Sequence, residues 1–173
     1  MRSEHGAETT WLPFDLHPEY PAEGLPRERL LARYGKEGLA RTRAMFEANG
    51  LEYNPHPEVV PNTRAALRLT ELARERELHP AFHDRLMDAY WAEGRDIGDA
   101  DVLRGLAAEV GLDQDEVERV LGSDEYLDRV TASTRQAASI GITGIPAFLL
   151  DRRLLVLGAQ PREVFERALA QLP

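Results

Sequence analysis

The chain has 173 residues, 43% of them hydrophobic, and 30 acidic against 21 basic side chains give it a net charge of -9. This length and composition fit one domain with a real core and exclude a disordered chain. The acidic balance argues against nucleic acid as a partner, and a cysteine count of zero excludes any thiol nucleophile, disulfide, thiolate metal site or redox switch from this chain alone.

No apolar run approaches the roughly 18 residues of a membrane-crossing helix. Residues 1–20 are polar and proline-rich where a signal peptide would be apolar. No membrane association and a cytoplasmic location are therefore expected. "AETTWLPFDL", residues 7–16, is rich in Thr, Trp and Phe and reads as one strand running into a loop with Pro18 and Pro21. Residues 26–49 carry Leu30, Leu31, Tyr34, Leu39, Met45 and Phe46 and predict a helix broken at Gly35 or Gly38 and stopped at Gly50. After the loop "NPHPEVVPN", Asn62 is the expected N-cap of a helix with Ala66, Leu69, Leu72 and Ala73 on one face.

The next helix, "HPAFHDRLMDAYWAEG", has a proline in its first turn, an apolar stripe of Phe82, Leu86, Met87, Tyr90 and Trp91, and an end at Gly94. "GDADVLRGLAAEVGL" and "DQDEVERVLG" predict two short helices, each capped by an aspartate and closed by a glycine. "SDEYLDRVTASTRQAASIG" predicts a longer helix capped by Ser123, with Glu125 and Arg129 spaced for an i,i+4 pair, ending at Gly141. A strand from "GIPAFLL", the turn "DRR", a strand 154–159 and a helix opening at Pro161, with Val164, Phe165, Ala168 and Leu169 inward, complete the chain.

Conventional site signals are weak. His79 and His83 stand at i and i+4 with Asp84 beside them, which would be half a metal site. With no third ligand in view, the surface and helix-start reading is favoured, and no metal is expected. The glycine pairs 35/38 and 141/144 do not make a nucleotide-binding fingerprint. The carboxylates of "GDADVL" and "GLDQDEVER" lack the ligand pattern of a calcium loop, and no G-x-S-x-G elbow or catalytic base stands out.

The stretch "GITGIPAFLL" is different. A proline at the start of a buried strand belongs on an edge or in a dedicated turn, and only an X-Pro bond takes the cis form at low cost. Helix end, Thr143, Gly144, Ile145-Pro146, apolar strand, basic turn, apolar strand and final helix follow the order of the second half of a thioredoxin fold. "WLPFDLHPEYPAEG", "PNTRAALRLTELA", "FHDRLMDAYWAEGRDIGDADVL" and "GITGIPAFLLDRRLLVLGAQPREVFERAL" together resemble the DsbA family of thioredoxin-like proteins, in the FrnE-like branch related to hydroxychromene-carboxylate isomerases.

The resemblance implies an α/β, thioredoxin-like core of the DsbA type with a large helical insertion. The chain would be a single domain over 1–173, with strand and loop at 7–25, the insertion at 26–140, and the cis-proline loop, strand hairpin and final helix at 141–173. It implies that Thr143, Gly144, Ile145 and Pro146 face a bound peptide or small thiol. The family's first strand, its Cys-x-x-Cys turn (Ser-containing in the isomerase branch) and its first helix are expected to be missing, because a βαβ unit needs about 30 residues and residues 1–8 cannot supply them. The expected function is that of a DsbA-family disulfide oxidoreductase with catalysis absent or impaired, no catalytic residues and no cofactor. The alternatives are a non-catalytic peptide or thiol binding module and a dimerising structural protein. A sheet without its first strand would be closed either by residues 8–15 or by a second copy, and Pro13 favours the second, hence an expected homodimer.

Overall fold

A computed structural model of the chain describes residues 8–172. The segment from Glu8 to Asp15 carries no strand, which corrects the expectation for residues 7–16 as far as they are described; Ala7 lies outside the described residues. Pro13 has no N–H to give a ladder, and side chains of the helical body satisfy the segment's backbone instead. Arg74 donates to the Trp11 carbonyl oxygen at 2.5 Å, and the Asp15 N–H donates to Thr134 Oγ1 at 2.9 Å.

A short strand β1 (Leu25–Pro26) pairs antiparallel with β2 (Val59–Val60), Leu25 opposite Val60. Between them runs α1 (Glu28–Ala48), with Gly35 at φ 67° and ψ 171° breaking its regular geometry. Only a residue without Cβ takes that conformation at little cost. The C-terminal end of α1 is held by aromatic contacts. Phe46 sits 5.1 Å from Tyr53 and 5.0 Å from Trp91, and the Arg43 guanidinium lies over the Tyr53 ring.

The body is a helical cluster: α2 (Arg64–Glu75), α3 (His79–Trp91), α4 (Ala100–Glu109), α5 (Gln114–Leu121) and α6 (Leu127–Ser139). α2 lies at its centre and touches α3, α5 and α6. Its Leu69, Leu72 and Ala73 are fully buried, against Phe82 and Ala89 of α3, Leu103 and Leu106 of α4, and Val117 and Val120 of α5. Fully burying each large apolar side chain is worth about 1.5–3 kcal/mol, so this cluster is where the fold's stability is concentrated. The apolar stripe foreseen on α3 turns slightly: Ala89 is buried, whereas Met87 faces outward.

The caps differ in their success. Asp99 accepts from the N–H groups of Asp101 and Val102, and Asp113 from that of Glu116, as the spacing predicts. Asn62 lies one residue before the α2 cap position, where its side chain accepts from the Arg64 N–H and donates to the Tyr20 carbonyl, tying the loop to the helix. Ser123 does not cap α6. Its hydroxyl donates to the Arg119 carbonyl and accepts from Glu125, and α6 begins at Leu127 after Tyr126 in left-handed conformation. The i,i+4 pair is replaced too, since Glu125 pairs with Arg119 and Arg129 reaches Glu75 at 2.6 Å. Glu125 precedes the helix that carries Arg129, so the two are not spaced as an i,i+4 pair of one helix.

The C-terminal part is a hairpin of β3 (Ala147–Leu150) and β4 (Leu154–Leu157) followed by α7 (Arg162–Leu169). The register sets Ala147 opposite Leu157 and Leu150 opposite Leu154. Among the described residues, the two small sheets remain separate.

Candidate functional site

α6 ends in a left-handed glycine, Gly141 at φ 89°, and the N–H groups of Gly141 and Ile142 donate back to Ala138 and Ala137. Ile142 then buries its side chain and so anchors the loop on the body. The four predicted site residues follow as one continuous ledge. Thr143, Ile145 and Pro146 are exposed and Gly144 is half-buried, with Ile145 at 57% exposure despite being wholly apolar. The Ile145-Pro146 peptide bond is cis. The Pro146 carbonyl accepts from the Gly158 N–H at 2.8 Å, which ties the ledge to the far end of β4.

Strand alternation sorts the hairpin into two faces. Phe148 and Val156 point to one side, where Phe148 meets Phe165 of α7 edge-on at 4.9 Å. Leu149 and Leu157 fall on the other side and are each 47% exposed. The ledge thus leads directly into a strand with an apolar, half-exposed outer face.

From Ile140 to Leu150 there is no titratable side chain. The ledge offers main-chain donors and acceptors, one hydroxyl and aliphatic surface, which suffices to hold an extended ligand. It supplies no acid, base or nucleophile of its own.

The other residues weighed in the sequence lie elsewhere. His79 is buried and His83 half-buried, and the two rings stack 5.8 Å apart. Burial holds both imidazoles below their ordinary pKa, and the Arg74 guanidinium pushes His79 further down. Among the described residues, no group of three or more His, Asp and Glu side chains is placed to hold a metal ion. No described helix is long and apolar enough to cross a membrane. An open cleft lined by Tyr20, Leu25, Arg29, Leu30, Arg33 and Val60 includes none of the ledge residues.

Two features escaped the sequence reading. Trp11 lies on the His83 ring, centroids 4.6 Å apart, and the buried Arg68 guanidinium binds main-chain carbonyls. A lone Trp in a proline-rich stretch and an arginine on the apolar side of α2 were the only signals, and neither names its partner.

The arrangement of a helical cluster, a loop with a cis-proline, a hairpin and a last helix defines a thioredoxin-like protein of the DsbA type with a helical insertion. A family model described as a DSBA-like thioredoxin domain matches residues 1–170. The chain belongs to this family. It is similar to the Bacillus subtilis (strain 168) protein YwbO, with 29% identity over 165 residues, 94% of this chain and 81% of that one. Its structure superposes on that of the probable DsbA oxidoreductase SCO1869 from Streptomyces coelicolor with a TM-score of 0.83 and 38% identity, over 91% of this chain and 72% of that one. A protein disulfide isomerase candidate from Nitrosomonas europaea shares the fold at a TM-score of 0.70 and 21% identity, over 99% of this chain and 87% of that one.

Proposed function

We propose that the chain is a FrnE-like member of the DsbA family that binds a peptide or small thiol on Thr143, Gly144, Ile145 and Pro146 without exchanging disulfides through residues of its own. Thiol-disulfide exchange proceeds by thiolate attack on sulfur, and this chain has no cysteine. What remains for the ledge is recognition. The observation that carries the reading is Ile145, an apolar side chain 57% exposed in an uncharged loop. Isolated exposed apolar residues are ordinary, but one in a loop that leads straight into a strand whose Leu149 is also 47% exposed supports a contact surface. In this reading residues 7–25 and 141–173 form the thioredoxin-like core and 26–140 the insertion.

Insulin reduction by dithiothreitol and calorimetric titration with glutathione and with an extended peptide test it. No turnover above a heat-treated control is expected, together with measurable binding of one of the two ligands that falls at least about tenfold, roughly 1.4 kcal/mol, in Ile145→Asp. Disulfide turnover by the cysteine-free chain, or no binding of either ligand, refutes it.

A second reading, self-association into a homodimer, is favoured by the same exposed outer face of the hairpin. It is compatible with the first where the ledge remains open beside the contact.

A further inference from the structure

Residues 8–16 lie across the helical body without joining its core, since the buried cluster of α2 to α5 contains no residue of this segment. Side chains fasten it at its two ends. Near Asp15, the backbone N–H donates to Thr134 Oγ1 at 2.9 Å and the carboxylate stands 3.4 Å from Arg64 Nε. Near Trp11, the indole stacks on the His83 imidazole at 4.6 Å with 25° between the planes. His83 stacks in turn on His79 at 5.8 Å and 10°. Arg74 donates at 2.5 Å to the Trp11 carbonyl and at 3.1 Å to Glu71. Trp11 itself is 48% exposed and Leu12 is 70% exposed. Pro13 is buried and Phe14 half-buried just beyond them, so the ring column with its one main-chain bond is what fastens Trp11 itself.

That column tolerates protons poorly. Two parallel imidazoles at 5.8 Å are compatible while neutral, but as imidazolium ions they repel, and like charge at such range in a partly buried site is strongly unfavourable. The groups facing them are few. From α2 come Arg74, a third positive charge, and Glu71, whose carboxylate is already engaged by Arg74. From α3 itself comes Asp84, which like Glu71 favours the charged imidazole. From the segment comes Trp11, which carries no charge. Burial and Arg74 both oppose protonation in the fastened state, so by linkage protonation opposes the fastened state.

We propose that residues 8–16 form an acid-released clasp, in which neutral His79 and His83 hold Trp11 against α3 and protonation of the pair lets this end of the segment lift while the helical cluster stays folded. Release follows acidification through the imidazole range, because lifting Trp11 returns water to His83 and the lifted state takes up protons more readily than the fastened state. Two histidines acting together make the transition steeper than a one-proton curve.

Trp91→Phe leaves Trp11 as the only indole, since the chain has two tryptophans. Its emission and acrylamide quenching, followed from about pH 8 to pH 5 beside far-ultraviolet circular dichroism, read the clasp and the body separately. The expected result is a red shift and increased quenching below about pH 6.5 with helical dichroism unchanged. In the same background with His79→Gln and His83→Gln, the emission does not change with pH. A flat Trp11 response with the histidines intact, loss of helical dichroism in the same transition, or the same transition in the double variant each overturns the proposal.

Discussion

Arg68, in the middle of α2, drives its guanidinium into the C-terminal end of α5 and donates to the Val120 carbonyl. The same side chain also reaches the carbonyls of Ser123 and of Glu125, the latter at 2.8 Å. The last carbonyls of a helix have no partner within it, and here one buried side chain, 7% exposed, satisfies the end of α5 and the turn into α6 together. Burial lowers the Arg68 pKa, while Asp124 and Glu125 nearby partly offset that effect.

Replacing Arg68 by Met keeps the length of the stem but removes the guanidinium from three carbonyls, of which Val120 keeps the Ser123 N–H at 3.4 Å. With hydrogen bonds to charged groups worth about 1.5–3 kcal/mol each and partial rescue by water, Arg68→Met should cost about 2–4 kcal/mol. The urea midpoint at neutral pH measures this, with an unchanged denaturant slope. A loss below 1 kcal/mol would show that the guanidinium is replaceable by solvent.

Tyr126 makes an alkaline prediction. Its hydroxyl donates to Glu75 Oε2 at 2.7 Å, and burial together with that carboxylate pushes its pKa up to about 12 from an ordinary 10.0. The folded state therefore holds the phenolic proton more tightly than the unfolded state. The contribution is fully present below the unfolded value and is lost as the pH rises from 10 towards about 12. Stability should fall across that window, and Tyr126→Phe should flatten the fall by up to about 1.4 kcal/mol per pH unit. Half-buried Tyr90, whose pKa is also raised by loss of water, leaves a residual slope. Urea midpoints at several alkaline pH values decide the matter; identical slopes in the two proteins would rule out this assignment.

The β3–β4 turn is built from residues unsuited to it. Asp151 and Arg152 take φ values of 47° and 56°, and consecutive left-handed positions are where Asn-Gly is preferred in a hairpin. A Cβ in that region costs energy that glycine does not. Asp151→Asn with Arg152→Gly should stabilise the protein by about 0.5–1 kcal/mol after the added freedom of the unfolded chain is deducted. For a chain of this size that is about 1–4 °C in Tm. A lowered Tm would mean that Asp151 or Arg152 makes a contact that outweighs its backbone strain.

The helices of the body were legible in the sequence because each is a local statement. Leu69 and Leu72 sit at helical spacing, and Asp99 and Asp113 can cap only the residues that follow them. The hairpin and its loop were legible for the same reason, since glycine, proline and apolar runs punctuate short stretches. Residues 8–16 were not. Their Thr, Trp and Phe satisfy strand propensity, but a strand needs a neighbour, and propensity does not say that Arg74 and Thr134 will take its backbone groups instead. Arg68 escaped notice and Arg129 was given the wrong partner because their partners are 52 and 54 residues away in sequence, at Val120 and Glu75. The loop Thr143–Pro146 was legible as a segment, while the pairing that sets Leu149 and Leu157 on one face required the register of the hairpin.

The outer face of the hairpin yields the last prediction. Leu149 and Leu157 are each 47% exposed there, opposite the side occupied by Phe165. The strand β3 carries no charge, the device that natural sheets use to discourage association. If two copies meet on this face, each half-exposed side chain gains about 1 kcal/mol by losing its remaining contact with water. The surrounding chain is strongly acidic at -9, so repulsion between copies opposes contact and salt should strengthen it. Leu149→Arg places a solvated cation in the centre of the face and leaves the core of α2 to α5 untouched. Sedimentation equilibrium at micromolar concentration should show a dimer that becomes a monomer in Leu149→Arg, with association weakened by at least about 100-fold and helical dichroism unchanged. A monomeric parent protein, or a dimer indifferent to Leu149→Arg, would exclude this face as the contact.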